Sequence, residues 1–186
     1  MSEEQKAEPS DFASVADFNS LYSSYTEARK GKRWKYAVCK YEANILENLM
    51  FIHFMLTSHK YRLSPYNCFI VKEPKERLIM YNSFRDKIVQ HSLCDNVLEP
   101  VLSKTFIYDN YASQKGKGTH FGLDRLKLFM QKFHRQHGTD GWVLKCDVRK
   151  YFYRIDHDVL KSQLRRLIKD TDVLWLLDMI IDSTEG

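Results

Sequence analysis

An apolar run that ends in a carboxylate is the first feature of this sequence with chemistry in it. Trp142-Val143-Leu144-Lys145-Cys146 leads directly into Asp147. A buried strand ending in this way presents an acidic oxygen pair at a sheet edge, where it can meet a divalent cation, cap a turn or pair with a base. Phe152 follows five residues later, near enough to wall the same pocket or to enter a core. A second group, Lys72, Lys75 and Arg77, brackets the turn of a potential hairpin, where fixed cations could hold a phosphate chain. A third, Arg29, Lys30, Lys32, Arg33 and Lys35, is interleaved with Trp34 and Tyr36. Such a mixture suits a polyanion whose bases stack, or a solvated basic loop. Lys115 and Lys117 alternate with Gly116 and Gly118, a pattern suited equally to a template backbone and to a plain flexible loop.

Other chemistries lack residues. The four cysteines (Cys39, Cys68, Cys94 and Cys146) lie far apart, without metal-ligand spacing, and read as buried reduced thiols of a cytoplasmic protein. The seven histidines show no i, i+4 pairing, and His157 reads as a helix-start residue. There is no phosphate-cradling glycine loop and no nucleophile in a recognisable setting. No run of about twenty apolar residues predicts a membrane span. Residues 1–12, acidic and polar at the start, read as a loose tail.

The elements that must position these groups follow from periodicity. Phe18, Leu21, Tyr22 and Tyr25 predict a helix over residues 17–29, interrupted at Gly31. Ile45, Leu46, Leu49, Ile52 and Met55 predict a largely buried helix over 42–58, which Ser64-Pro65 follows as a breaker. The period then changes, and two short runs within about 66–81 predict a β-hairpin with a charged turn. Ser83 with Asp86 resembles a capping box for a helix burying Ile88, Val89, Leu93, Val97, Leu98 and Val101. Residues 105–118 read as irregular. Thr119 is expected to cap a helix that buries Leu123, Leu126, Phe129, Met130 and Phe133 and ends at Gly138. Two further helices are expected over 158–168 and from about Val173, before a glycine-containing turn at Thr184-Glu185-Gly186. The fold class expected is α+β.

Several of these segments, in this order, resemble a known family. Leu144-Lys145-Cys146-Asp147-Val148-Arg149-Lys150-Tyr151-Phe152-Tyr153-Arg154-Ile155-Asp156-His157 looks like the first palm motif of reverse transcriptases of the group II intron, retron and diversity-generating kind. Phe69-Ile70-Val71-Lys72-Glu73-Pro74-Lys75-Glu76-Arg77-Leu78-Ile79 resembles their fingers hairpin. Arg85-Asp86-Lys87-Ile88-Val89-Gln90-His91 is similar to the next helix, and the stretch from Thr105-Phe106 to Thr119-His120 to the irregular segment after it. The resemblance covers roughly residues 61–158.

It implies helix-rich fingers over 13–138 and the start of a right-hand polymerase palm over 139–186. The activity implied is RNA-directed DNA synthesis with an RNA template, a primer, dNTPs and two Mg2+ ions. Asp147 would bind both ions and the Val148 backbone carbonyl would help hold one. Phe152 matches the ring that clashes with a ribose 2′-hydroxyl, and Lys72 and Arg77 match the residues that grip the triphosphate. Lys75 competes with Lys72 because the turn is short. Two departures stand out: Arg149 and Lys150 follow Asp147 where less charge is usual, and no Asp-Asp pair occurs in the chain. The expectation is therefore a fragment, inactive alone. An RNA-binding intron maturase, or a scaffold that dimerises through an open palm surface, are the competing expectations.

Overall fold

The computed structural model describes residues 11–184; the first part of the expected tail and the last two residues of the chain lie outside them. Within that range the protein is helix-rich with one two-stranded antiparallel hairpin, consistent with an α+β class. Residues 11–101 and 156–184 form one compact unit and residues 102–155 a second, so the division does not follow the expected 138/139 boundary.

The first unit begins earlier than composition suggested. Helix α1 (Asp11–Ala16) buries Phe12, Val15 and Ala16, which moves residue 12 from tail to core and makes the exposed Asp11 the helix start. Its last carbonyls lack partners within so short a helix and are met from elsewhere. The Ser92 hydroxyl donates to Val15 O at 2.7 Å, and His53 Nδ1 lies 2.8 Å from Ala16 O. Helix α2 (Phe18–Arg29) starts where Asp17 accepts from Ser20 N at 3.0 Å. Leu21, Tyr25 and Ala28 repeat at helical spacing and are buried. Gly31, at φ +65°, then takes the left-handed conformation that ends the run.

The structure inserts a helix that periodicity missed, α3 (Tyr36–Glu42), before α4 (Ile45–Thr57). Helix α4 is not largely buried: Leu49, Ile52 and Leu56 enter the core, while Leu46, Met50, Phe51 and Phe54 are exposed. The hairpin forms as expected, from β1 (Asn67–Val71) and β2 (Arg77–Tyr81), in a register pairing Asn67 with Tyr81 and Val71 with Arg77. The turn contains a cis Glu73-Pro74 bond. Cys68 lies on this strand pair, and all four cysteines are free and exposed rather than buried, because none faces the helical core.

Helix α5 (Phe84–Leu93) runs through a π-turn, Cys94–Leu98, into α6 (Glu99–Leu102). Its Ile88, Val89 and Leu93, with Val97, pack with Leu21, Leu49 and Ile52 in the core, each contributing roughly 1.5–3 kcal/mol by burial. Ser83 caps α5 as expected. The Asp86 carboxylate, however, does not close a capping box on the Ser83 backbone. It is fully buried and collects the Tyr61 hydroxyl at 2.7 Å, Ser64 N at 3.0 Å and the Ser83 hydroxyl at 2.8 Å, with Arg85 alongside at 3.1 Å. Burial pushes this carboxyl up, but the donors outweigh it and hold it below the ordinary carboxylate value. Helix α8 (His157–Leu167) is capped by Asp156, accepting from Val159 N at 3.0 Å, rather than by His157. Helix α9 (Thr171–Ile181) buries Val173, Leu176 and Leu177.

The second unit is built around α7 (Thr119–His137). Its N-cap is Gly118, and no side chain, Thr119 included, caps it. Gly122 is required by a close approach: a Cβ there would lie 2.7 Å from the Tyr111 ring. The expected core stripe, Leu123, Leu126, Phe129, Met130 and Phe133, is exposed, because no second layer covers it among the described residues. The expected strand over 142–148 is not formed: these residues have no regular secondary structure and no strand partner among the described residues. A strand needs a neighbour for its N–H and C=O groups, and no described residue provides one. Trp142 is accordingly 99% exposed and Val143 and Leu144 87%. No helix among the described residues is long and apolar enough to cross a membrane.

Candidate nucleic-acid interface

The hairpin sets the first group. With Val71 opposite Arg77, the turn over residues 72–76 holds Lys72 and Lys75, and Arg77 opens the return strand. All three side chains are exposed, and among the described residues no carboxylate pairs with them. The two glutamates of the turn, Glu73 and Glu76, are likewise exposed. Side chains alternate along a strand, so Arg77, Ile79 and Tyr81 share one hairpin face with Val71, Phe69 and Asn67.

That face forms one wall of a groove of about 810 Å³. Lys32, Lys35 and Lys87 line it, together with Phe69, Tyr81 and Asn82, and no acidic side chain does. Lys87 Nζ lies 5.4 Å from the Tyr81 ring centre, and Phe69 meets Tyr81 edge-on at 5.9 Å. Partial burial pushes the Lys87 ammonium below the ordinary lysine value, and the charges of Lys32 and Lys35 lower it further. Lys32 Nζ reaches only a carbonyl, Ala28 O at 3.2 Å, and Lys35 Nζ lies 5.4 Å from the Trp34 ring. The Asn82 Nδ2 group is buried without a hydrogen-bond partner.

The seven-residue basic and aromatic cluster expected from sequence is thereby divided. Arg29 binds Glu42 at 2.8 Å, where the Tyr25 hydroxyl also donates at 2.7 Å, and Arg33 approaches the same carboxylate at 3.5 Å. The hydrogen bonds from Arg29 and Tyr25 hold Glu42 below its ordinary value. Lys30 is paired with Glu27. Trp34 donates to Gly31 O and is largely exposed. Only Lys32 and Lys35 of the cluster turn into the groove, where Lys87 joins them. Sequence reading passed over Lys87, Phe69, Tyr81 and Asn82 as site residues. A lysine next to the apolar pair Ile88-Val89, and strand aromatics in alternation with Arg77, are the signals they left.

The other expected residues belong to the second unit. Asp147 and Val148 lie on the unpaired segment, both exposed. Lys150, at φ +53°, reverses the chain into the short turn Tyr151–Arg154. Phe152 stands there edge-on to Tyr151 at 5.3 Å and is 81% exposed, so it is not a core ring of this unit. A Mg2+ ion takes about six oxygens. The Asp147 carboxylate and Val148 carbonyl are oxygen donors of the right hardness, but no group of three or more metal-ligating side chains occurs among the described residues. These two residues by themselves therefore do not make a magnesium site. Lys117 is engaged internally, its ammonium on Tyr108 O at 2.7 Å and Asn110 O at 3.2 Å and over the Tyr108 and Phe121 rings. In the structure the lysine pins its own loop. Lys115 is exposed in the same loop, at the turn before Gly116.

No family model matches the chain. Among curated proteins it is similar to Protein YkfC of Escherichia coli strain K12, at 27% identity over 124 residues. The match takes in 66% of this chain and 32% of that protein, so the chain spans about a third of its relative's length.

Proposed function

We propose that the chain forms the fingers and the beginning of the palm of a right-hand RNA-directed DNA polymerase of the group II intron, retron and diversity-generating kind. It would act with an RNA template, a primer and dNTPs, and with Mg2+ as cofactor. One observation supports the reading: the hairpin forms with Lys72 at the start of its turn and Arg77 at the start of the return strand, both exposed and, among the described residues, without carboxylate partners. Exposed cations that form no ion pair with the glutamates of their own turn suit a triphosphate whose charge grows as pyrophosphate leaves. Lys75, in the turn between them, is the alternative partner to Lys72.

In this reading Asp147 and the Val148 carbonyl supply part of a metal site whose remaining carboxylates stand on an aromatic-x-Asp-Asp turn of a longer chain. When bound, magnesium lowers the charge barrier to attack on the triphosphate. Phe152 works without the metal: an exposed ring five residues after Asp147 in the sequence would exclude a ribose 2′-hydroxyl by contact. Activity accordingly belongs to the longer protein. A cytoplasmic setting is part of the proposal and agrees with four free, exposed thiols.

A second reading, an RNA-binding maturase, is favoured by the groove of Lys32, Lys35 and Lys87. The apolar face of α7 is the surface that a dimerising scaffold would use.

Primer extension on an RNA template, with the longer protein and its Asp147→Ala variant side by side, tests the proposal. Magnesium-dependent extension abolished by the substitution is expected. No extension by the wild type, with salt-sensitive RNA binding intact, would replace polymerase by maturase.

A further inference from the structure

Three ammonium groups line one wall system of the first unit, and the acids around them are already taken. Glu42 is held by Arg29, Arg33 and Tyr25, and Glu27 by Lys30. Nothing acidic lines the groove itself. The folded protein therefore gathers like charge at Lys32, Lys35 and Lys87: partial burial pushes the Lys87 ammonium down, and the charges of the other two lysines add to that push. An anion that settles between them offsets that charge and binds the folded state selectively. The opposite wall is not charged. Phe69 and Tyr81 are half-exposed rings on one hairpin face, and every nucleobase has a π-face that can lie on such rings. Asn82 adds an amide whose donor has no partner among the described residues.

We infer that this groove holds a single-stranded polynucleotide, with backbone phosphates against Lys32, Lys35 and Lys87 and an unstacked base against Phe69 and Tyr81. A free polyphosphate would satisfy the lysines and leave the rings unused. A duplex would present phosphates but keep its bases stacked away from the rings. The inference deepens the polymerase reading and rests on it for the kind of ligand, but it uses neither Asp147 nor the Lys72–Arg77 pair. Strand capture and nucleotide addition are thus separable in this protein.

The test is binding of a fluorescently labelled single-stranded oligonucleotide by anisotropy, against a blunt duplex of the same sequence and inorganic tripolyphosphate as competitor. The single strand is expected to bind more tightly than the duplex. Lys87→Gln should weaken it about fivefold or more and reduce the salt slope by about 0.7, the value for one phosphate contact on a single strand. Phe69→Leu should weaken binding with the salt slope unchanged. Should Lys87→Gln fail to fold, Lys32→Gln with Lys35→Gln, both in or beside an exposed turn, provides the same reading. Lys127→Gln on α7 serves as the control. Groove variants that bind like Lys127→Gln would overturn the inference, as would equal affinity for duplex. Tripolyphosphate displacing the strand at matching phosphate concentration would reduce the groove to a plain anion site and overturn it too. Strand binding retained in Asp147→Ala, beside absent extension, would sink the polymerase reading alone.

Discussion

The Tyr61 hydroxyl donates to the Asp86 carboxylate at 2.7 Å, joining the chain just before the hairpin to the first turn of the helix just after it. The hairpin therefore springs from a braced base: Ser64 N and the Ser83 hydroxyl meet the same carboxylate from the two sides. Asp86→Ala leaves these donors buried and unanswered and should cost about 3–5 kcal/mol, measured by urea denaturation. Tyr61→Phe should cost less, about 1–3 kcal/mol.

The same carboxylate predicts a pH signature. Its folded value lies below the unfolded one of about 3.9, so its contribution is complete above that pH and is lost as pH falls through the folded value. Denaturation midpoints collected from pH 6 down to pH 2 should fall more steeply for the wild type than for Asp86→Asn. Parallel curves would mean that the carboxylate does not supply the acid sensitivity.

Asp170 links the two ends of the first unit. It accepts from Asp172 N at 2.9 Å and Val173 N at 3.2 Å to cap α9, and from Phe12 N at 3.0 Å at the start of α1. Asp170→Ala should destabilise by about 1–2 kcal/mol, at the upper end of cap substitutions. Asp17→Ala removes one exposed cap bond and should cost less. Thermal melts of the two variants compare them directly.

For the polymerase reading, Arg77→Ala should raise the KM for dNTP roughly 10- to 100-fold, the loss of one or two charge-assisted bonds, with primer-template affinity unchanged. Arg77→Lys should not restore it, since a point charge replaces a planar fork. Lys72→Ala and Lys75→Ala, assayed in parallel, decide which lysine faces the triphosphate.

Phe152→Ala should narrow the preference for dNTP over NTP by roughly 10- to 100-fold in single-nucleotide incorporation. Stability should scarcely move, because the ring is exposed in its unit. A large loss of stability would instead assign Phe152 a packing role.

What was legible in the sequence was local. The hairpin was readable because strand, turn and strand are neighbours in the chain, and α2 and α5 because their caps and apolar repeats lie within them. Helix α3 follows directly on the basic cluster and buries a single residue, Val38, which is too few to set a helical period. Residues 142–148 have the composition of a strand, but pairing is decided by a partner elsewhere, and composition is silent on that. The division of the basic cluster was likewise invisible, because it depends on Glu42 lying on the next helix. Lys87 became a site residue only when the hairpin folded opposite α5, a relation no helical period encodes.

The exposed tryptophan of the unpaired segment also makes the protein its own optical reporter. Of three tryptophans, Trp175 packs against His59 and Phe12, whereas Trp34 and Trp142 are exposed and are expected to emit at long wavelength. Any strand that adds to residues 142–148 takes the Trp142 indole out of water and moves its emission toward the blue. The joining of a sheet around Asp147 can therefore be followed in a cuvette, without a label and before any chemistry is assayed.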